Sequence, residues 1–245
     1  MLGPVNLNAA RKVDAWLARL GRLLLPLRCL VCGEPGAAGL DLCAACRQNL
    51  PWNRCACPRC ALPLAAPAPA CGHCLAASPV FSHCHASFVY RFPVDRLLPR
   101  LKFHGDLAAG RLLADLAWPG LAVLDRPDAL VPVPLHRRRL RQRGYDQAGE
   151  LAKAWAQVGG LSLRDDLLRR RRATAAQSEL DAEARQRNIR GAFSLSPCAL
   201  PDHVVLVDDV MTTGATLREC AKVLLRAGVR RVDAWVLARA PMRRA

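Results

Sequence analysis

Hydrophobic residues in the last two-thirds of the chain alternate between strand-like runs and helical spacing. The mostly apolar stretch 203–207 is typical of a buried parallel strand. After it, apolar residues recur at helical spacing up to Gly228: Leu217, Cys220, Ala221, Leu224 and Leu225. Residues 87–92 and 128–135 predict two further strands, each followed by helical periodicity. This alternation predicts an α/β domain built on a parallel sheet.

The segments between these strands predict three helices. One helix is expected over residues 94–101, interrupted at Pro99, and a second over residues 106–117. After the strand at 128–135, one helical face is apolar: Ala148, Leu151, Ala152 and Trp155. We place the start of this domain at residue 86, so that it comprises residues 86–245.

The amino-terminal part of the chain begins with an amphipathic pattern. Residues 9–27 place apolar side chains on one helical face: Val13, Trp16, Leu17, Leu20 and Leu24. Packing against its own protein is the commoner fate of such a stripe, and contact with a membrane surface is the alternative. We therefore predict a lead-in helix within residues 1–28.

Residues 29–85 are dominated by cysteine pairs separated by two residues. Four such knuckles occur: Cys29/Cys32, Cys43/Cys46, Cys57/Cys60 and Cys71/Cys74. Two knuckles complete the four-thiolate shell that Zn²⁺ favours, and a segment this poor in large apolar residues needs such a staple. A disulfide framework, an iron–sulfur site and a thioredoxin-like redox pair are less favoured, since neither an export signal nor a βαβ context accompanies the knuckles. The spacing predicts a zinc-ribbon-like domain with two structural zinc ions, whose knuckles pair either in sequence order or interleaved.

Composition narrows the range of partners and surroundings. The chain has 245 residues with 36 basic and 20 acidic side chains, a formal charge of +16 that favours polyanionic partners. Aromatic residues make up only 5%, which weakens recognition of single strands by base stacking. No apolar run approaches the roughly 20 residues of a membrane span, so we predict a cytoplasmic protein.

The strand at 203–207 leads into the most informative stretch of the chain. Asp208 and Asp209 come at its end, followed by a small hydroxyl-rich turn: Thr212, Thr213, Gly214, Ala215 and Thr216. In an open α/β sheet, ligands bind outside the carboxyl ends of the strands, and the first amides of the following helix attract anions. Carboxylates there accept hydrogen bonds from sugar hydroxyls or bind Mg²⁺. The alternative is that these residues only end the strand and cap the helix.

Basic residues are expected to face this turn from two other segments. Five arginines fall within residues 137–143, directly after the strand at 128–135, and they repel one another unless an anion binds. We expect a strand–basic loop–helix unit that opens into the same crevice. Lys102 either adds a cation there or is a solvated surface lysine. The polar, arginine-rich stretch 164–193 is interpreted as a hood over the site or as a groove for nucleic-acid phosphates.

Two resemblances connect these features. Residues 203–216 resemble the phosphoribosyl pyrophosphate (PRPP) motif of type I phosphoribosyltransferases. From Cys29 to Ala240 the chain resembles the ComF family, through its knuckles and five motifs: Leu-Lys-Phe-His-Gly-Asp, Val-Pro-Val-Pro-Leu, Arg-Gly-Tyr-Asp-Gln, Gln-Ser-x-Leu with Arg-x-x-Asn, and Val-Asp-Asp-Val-Met-Thr-Thr-Gly-Ala-Thr. The resemblance implies a type I phosphoribosyltransferase-like fold and a link to DNA uptake and natural transformation.

The resemblance also assigns roles to residues. Asp208 and Asp209 would hold the ribose of PRPP directly or through Mg²⁺, and would serve catalysis if turnover occurs. The turn from Thr212 to Thr216 would bind the 5′-phosphate, and four cations would bind the pyrophosphate: Lys102, Arg137, Arg139 and Arg143. One departure concerns Asp146, where the family commonly has asparagine, so that an anionic acceptor replaces a group that also donates.

Two functions follow as hypotheses. The first is a phosphoribosyltransferase that binds PRPP with Mg²⁺ and transfers the ribosyl group to an unidentified acceptor. The second is a nucleic-acid-binding competence factor in which the PRPP site is regulatory. Single-stranded DNA and other competence or DNA-uptake proteins are the partners that this second reading predicts.

Overall fold

The structure is a computed structural model, which describes residues 26–103, 105–172 and 189–242. The predicted lead-in helix lies outside these residues. The chain divides into two compact units, Met1–Asn49 and Leu50–Ala245. This boundary differs from the domain boundary predicted near residue 85, which stays a prediction.

In the smaller unit the described residues form one short helix, α1 (Ala44–Gln48), and two isolated bridges, Arg28 with Pro35 and Ala37 with Leu40. The described elements of the larger unit are, in chain order, α2 (Gly72–Ala76), β1 (Cys84–Val89), α3 (Val94–Phe103), α4 (Leu107–Leu121), β2 (Ala129–Pro132), α5 (Arg137–Arg143), α6 (Gln147–Gly159), β3 (Leu168–Arg170), β4 (Phe193–Leu195), β5 (His203–Met211), α7 (Ala215–Arg226) and β6 (Arg231–Arg239).

A parallel four-stranded sheet organises the larger unit. Its strand order is β1-β6-β5-β2, with β5 and β6 in the centre and Asp208 paired in register with Val236. The central strands are buried on both faces, which explains why their sequences are nearly continuous apolar runs. The predicted α/β architecture with a parallel sheet is confirmed.

The second pair of cysteine knuckles belongs to the core of this larger unit. Cys57, Cys60, Cys71 and Cys74 lie in one buried cluster with residues of the sheet and of α7, including Met211 and Val236. The amide of Cys84, at the start of β1, donates to the carbonyl oxygen of Pro58 at 3.0 Å. These knuckles are therefore continuous with the α/β core.

Two local predictions change in the structure. Pro99 does not interrupt its helix, because α3 runs unbroken from Val94 to Phe103 and loses at most one backbone bond. The predicted basic loop after β2 is instead the short helix α5, which His136 caps and Gly144 ends in the left-handed conformation (φ 80°). At the two ends of the stretch that was interpreted as a hood or a groove, β3 and β4 form an antiparallel pair, while residues 173–188 between them lie outside the described residues.

Within the three described ranges, no helix combines the length and the apolar character that crossing a bilayer requires.

Candidate functional site

The eight predicted cysteine ligands form two tetrads. In the smaller unit the sulfur atoms of Cys29, Cys32, Cys43 and Cys46 lie within 4.8 Å of one another, and in the larger unit those of Cys57, Cys60, Cys71 and Cys74 do the same. The knuckles therefore pair in sequence order, which removes the interleaved alternative. We call these groups the first and the second tetrad.

Both tetrads have the dimensions of a tetrahedral thiolate site. A Zn–S bond of about 2.3 Å requires sulfur atoms about 3.8 Å apart. The Sγ atoms of Cys32 and Cys43 are 3.6 Å apart, and those of Cys60 and Cys71 are 3.5 Å apart. The two tetrads are consistent with two structural zinc ions.

Backbone amides favour the thiolate form of one cysteine in each tetrad. Burial opposes ionisation of Cys29, but hydrogen bonds from backbone amides outweigh it and lower its pKa to about 6. Cys57 is affected in the same way and its pKa falls to about 7, with the amide of Cys71 donating to its sulfur at 3.3 Å. Because zinc binds thiolates, both tetrads offer a deprotonated ligand near neutral pH.

A cavity of about 450 Å³ opens at the carboxyl ends of β2 and β5. This is the position at which parallel α/β sheets bind ligands. Of the residues predicted for the site, the cavity wall includes Lys102, Arg139, Arg143, Asp208, Asp209, Thr212 and Thr216. The structure thus brings together side chains that are separated by more than one hundred positions in the sequence.

The acidic wall consists of the two neighbouring aspartates. Oδ1 of Asp208 accepts the amide of Asp209 at 2.9 Å, and Oδ1 of Asp209 accepts the amide of Val210 at 2.7 Å. Burial, and then the charge of Asp209, raise the pKa of Asp208 well above its ordinary value. The two carboxylates therefore crowd each other unless a cation joins them.

A lysine pairs with this acidic wall. Nζ of Lys102 lies 3.2 Å from Oδ2 of Asp209, and the attraction to Asp209 raises the pKa of Lys102. Lys102 is thus held as a cation between the carboxylates and the arginines of the opposite wall. The solvated-lysine alternative does not describe its position.

The basic wall differs from the prediction in two residues. Arg139 and Arg143 line the cavity, whereas Arg137 is exposed and is not part of the lining. Arg170, at the end of β3, also lines the cavity, and burial followed by repulsion from Arg139 lowers its pKa. The arginine cluster 169–172 was visible in the sequence, but nothing local showed that β3 turns one of its members toward the aspartates.

The motif Arg143-Gly144-Tyr145-Asp146-Gln147 holds the end of α3, which carries Lys102. The hydroxyl of Tyr145 donates to the carbonyl oxygen of Leu101, and Nε2 of the buried Gln147 donates to that of Lys102 at 3.5 Å. Arg143 donates to Oε1 of Gln147 at 3.1 Å. This positioning role of Tyr145 and Gln147 was not predicted, because it depends on contacts with residues more than forty positions away.

Asp146 caps a helix. Its carboxylate accepts the amide of Ala148 at 3.1 Å, as the N-cap of α6, and the amide of Leu135 at 3.3 Å. Asparagine keeps one acceptor oxygen for the amide of Ala148 but presents an NH2 group to the amide of Leu135, so it retains the helix cap and loses the second bond.

We expect Asp146→Asn, which keeps the cap but loses the bond to Leu135, to lower the free energy of unfolding by about 0.5 kcal/mol and Asp146→Ala to lower it by about 1–2 kcal/mol. Urea unfolding measures both values, and Asp115→Ala, at an exposed position on α4, is the matched control. An asparagine variant as unstable as the alanine variant would contradict the capping role.

The hydroxyl-rich turn follows β5 directly. Gly214 has φ 73°, and a Cβ atom there would lie 2.5 Å from Cε of Met211, so only glycine fits without strain. Oγ1 of Thr213 accepts the amide of Ala215 at 3.4 Å, where α7 begins. Thr212 and Thr216 border the cavity, while the other three turn residues shape the backbone without lining it.

In comparisons with known proteins, the cysteine-rich part and the α/β part of the chain match two different domain families. Residues 20–75 match the double zinc ribbon domain, and residues 147–245 match the phosphoribosyl transferase domain. The chain is 35% identical over 224 residues to DNA utilization protein YhgH of Salmonella typhimurium, covering 89% of this chain and 99% of that protein. It is 35% identical over 228 residues to Competence protein F of Haemophilus influenzae, covering 87% and 97%. It is 29% identical over 154 residues to Competence protein ComFC of Streptococcus pneumoniae, covering 63% and 67%. The predicted combination of a phosphoribosyltransferase-type α/β domain with zinc-ribbon-like cysteine groups is confirmed.

Proposed function

The chain belongs to the ComF family, and we propose that it binds PRPP with Mg²⁺ in the cavity at the carboxyl ends of β2 and β5 as part of DNA uptake. The observation that carries the proposal is the meeting of two carboxylates, Asp208 and Asp209, with a set of cations in that cavity. PRPP carries a ribose diol between a 5′-phosphate and a pyrophosphate. A site for it therefore needs hydrogen-bond acceptors for the diol and cations for the phosphate groups. The names of the relatives support the connection with DNA uptake.

Each part of PRPP has a matching set of residues. Asp208 and Asp209 would accept hydrogen bonds from the ribose hydroxyls or hold Mg²⁺. The turn 212–216 would bind the 5′-phosphate through hydroxyls and amides at the start of α7. The pyrophosphate would contact Lys102, Arg139 and Arg143, with Arg170 as an addition. We leave Arg137 out of this contact because it is exposed.

The same residues suit a transfer reaction. Departure of pyrophosphate from the ribosyl carbon develops negative charge, which preorganised arginines and a lysine stabilise. Mg²⁺ bound with the substrate would neutralise further charge on the leaving group. The two aspartates would hold the ribosyl group in place while an acceptor nucleophile approaches from the opposite side.

A titration with PRPP and Mg²⁺ at several pH values tests the proposal. We expect one PRPP per chain and an affinity that rises with pH. The folded pKa of Asp208 is raised, so the carboxyl is protonated below that pKa and becomes a ligand for Mg²⁺ and hydroxyl groups only above it.

The same titration of Asp208→Asn serves as the control for this pH profile. PRPP ionises in both experiments, whereas the side chain of residue 208 ionises only in the wild type. An identical profile in both proteins, or no PRPP binding by the wild type at any pH, would contradict the proposal.

A second candidate function, binding of single-stranded DNA, rests on the exposed arginines of α5. Arg137, Arg138 and Arg141 are exposed on α5, the helix whose Arg139 and Arg143 line the cavity. Contacts between such residues and phosphates depend strongly on salt. The PRPP site would then regulate how DNA is held.

Replacing Arg137, Arg138 and Arg141 together by alanine is expected to reduce the slope of log affinity against log salt concentration by about 2 for single-stranded DNA. Fluorescence anisotropy at increasing salt measures the slope. A triple variant at Arg111, Arg226 and Arg230, which are exposed elsewhere in the larger unit, is the control. An equal loss of slope in both triple variants would argue against α5 as the DNA contact.

A further inference from the structure

A buried arginine joins the second tetrad to the turn that follows β5. Arg239, the last residue of β6, is only 5% exposed. Its Nε donates to the carbonyl oxygen of Cys60 at 3.0 Å, and its Nη1 donates to those of Met211 at 3.1 Å and Thr212 at 2.5 Å. One guanidinium thus holds a zinc-ligand residue with one side and the entrance of the hydroxyl-rich turn with the other.

The acceptors around the guanidinium of Arg239 are neutral. Among the described residues, no aspartate or glutamate oxygen forms an ion pair with Arg239, and the acceptors of its hydrogen bonds are backbone carbonyls. A buried cation is costly without an opposite charge nearby. Zinc bound by four thiolates carries a net charge of −2. The loaded second tetrad therefore supplies the anion that this buried guanidinium needs.

A second contact runs parallel to the first. The carbonyl oxygen of Pro58, within the knuckle 57–60, accepts a hydrogen bond from the amide of Cys84. Sγ of Cys84 lies 3.6 Å from Sδ of Met211. The methyl group of Met211 in turn fills the space beneath Gly214. The position of the knuckle is thereby transmitted to the same turn by a hydrogen bond and by packing.

We infer that Arg239 couples zinc in the second tetrad to ligand binding at the turn 212–216. Loss of zinc removes the negative charge that holds Arg239, and the carbonyl groups of Met211 and Thr212 lose their fixed donor. Coupling between two sites is reciprocal, so PRPP bound at the turn must also hold zinc in the second tetrad more tightly. Arg239 is a positioning residue in this scheme, since it does not line the cavity. The inference rests on the proposed binding of PRPP.

Equilibrium competition for zinc with 4-(2-pyridylazo)resorcinol, followed by absorbance, tests the coupling. The full-length Cys46→Ser variant is used so that the signal comes from the second tetrad. We expect saturating PRPP with Mg²⁺ to raise the affinity for zinc about tenfold. The Cys74→Ser variant retains the first tetrad and is expected to show no effect of PRPP, which controls for binding of zinc by PRPP in solution.

Variants of Arg239 separate coupling from simple structural support. Arg239→Lys, made in the Cys46→Ser background, keeps the charge but cannot reach the carbonyl groups on both sides at once. It is expected to lose the effect of PRPP on zinc affinity, while Arg231→Lys, at the other end of β6, keeps it. A merely structural arginine would change the affinity for zinc without PRPP and leave the PRPP effect in place.

The outcomes distinguish the two proposals. If calorimetry shows that PRPP binds and the affinity of the second tetrad for zinc does not change, the coupling is overturned and the proposed function stands. If PRPP does not bind, the proposed function fails and the coupling fails with it. The test with unsubstituted Arg239 decides the question even if Arg239→Lys does not fold.

Discussion

Cys74→Ser is expected to lower the zinc content from two ions to one per chain and to reduce the stability of the larger unit by on the order of 4 kcal/mol. The physical reason is the position of the second tetrad, whose four cysteines lie in the same buried cluster as Met211, Ala215 and Val236. Without the metal, the buried sulfur atoms of the remaining ligands lose their partner. The knuckle 57–60, whose Pro58 accepts the amide of Cys84 at the start of β1, also loses its support. Metal analysis and urea unfolding give the two quantities.

Tryptophan fluorescence reports mainly on the larger unit, because four of the five tryptophans, all except Trp16, belong to Leu50–Ala245. The buried Trp155 and Trp235 lie 6.4 Å apart between ring centroids in the larger unit. Cys46→Ser is the matched control, since it also removes one zinc but opens the tetrad of the smaller unit. We expect its tryptophan transition to stay close to that of the wild type. Equal destabilisation by both substitutions, or by neither, would contradict the distinct positions of the two tetrads.

Asp208→Asn is expected to act in opposite directions on stability and on binding. Burial and the charge of Asp209 raise the folded pKa of Asp208, so the ionised carboxylate is unfavourable in the ligand-free fold. The contribution of this group to wild-type stability is present at low pH and is lost as the pH rises through the folded pKa. At neutral pH the asparagine variant should therefore unfold at a temperature equal to or higher than the wild type.

The same substitution should weaken the binding of PRPP with Mg²⁺ by on the order of 100-fold, because a buried charge is removed from its partner. The thermal shift that saturating ligand produces in each protein measures the loss. A variant that is markedly less stable without ligand, or one that keeps the full ligand-induced shift, would show that Asp208 serves the fold instead of the ligand.

Features that depend on local periodicity were predictable from the sequence. The strand that leads to Asp208 is a continuous apolar run because it is buried on both faces, and the helix after Gly214 has apolar residues at helical spacing because one face is buried. These two elements place the aspartates and the turn at the carboxyl end of the sheet. The cysteine spacing likewise predicted both tetrads, because two thiolates separated by two residues can face one ion. These signals lie within short stretches of chain.

Features that depend on contacts between distant segments were not predictable. Arg170 reaches the cavity only because β3 pairs with β4 at the edge of the site, and the sequence around it indicated a hood or a groove. Tyr145 and Gln147 act on α3 across more than forty residues. Arg239 was assigned no role from the sequence, and its contact with Cys60 spans 179 positions. No local pattern distinguishes such residues from ordinary polar positions.

The helix that replaced the predicted basic loop shows how local signals can compete. Five arginines that repel one another suggested a basic loop, but arginine is a good helix former, and the segment has a capping residue, His136, at its start and a glycine, Gly144, at its end. The resulting helix points some arginines into the cavity and leaves others exposed. The separation of Arg137 from Arg139 and Arg143 follows from this change.

Isothermal titration calorimetry with PRPP and Mg²⁺ tests the central claim most directly, on the wild type, on the double variant Asp208→Asn/Asp209→Asn and on Asp202→Asn. Asp202 lies just before β5, is exposed and does not line the cavity, which makes it a matched control for loss of an aspartate. The proposed site predicts one PRPP per chain for the wild type and the control, with binding lost in the double variant. Equal binding by all three proteins, or no binding by the wild type, would contradict it.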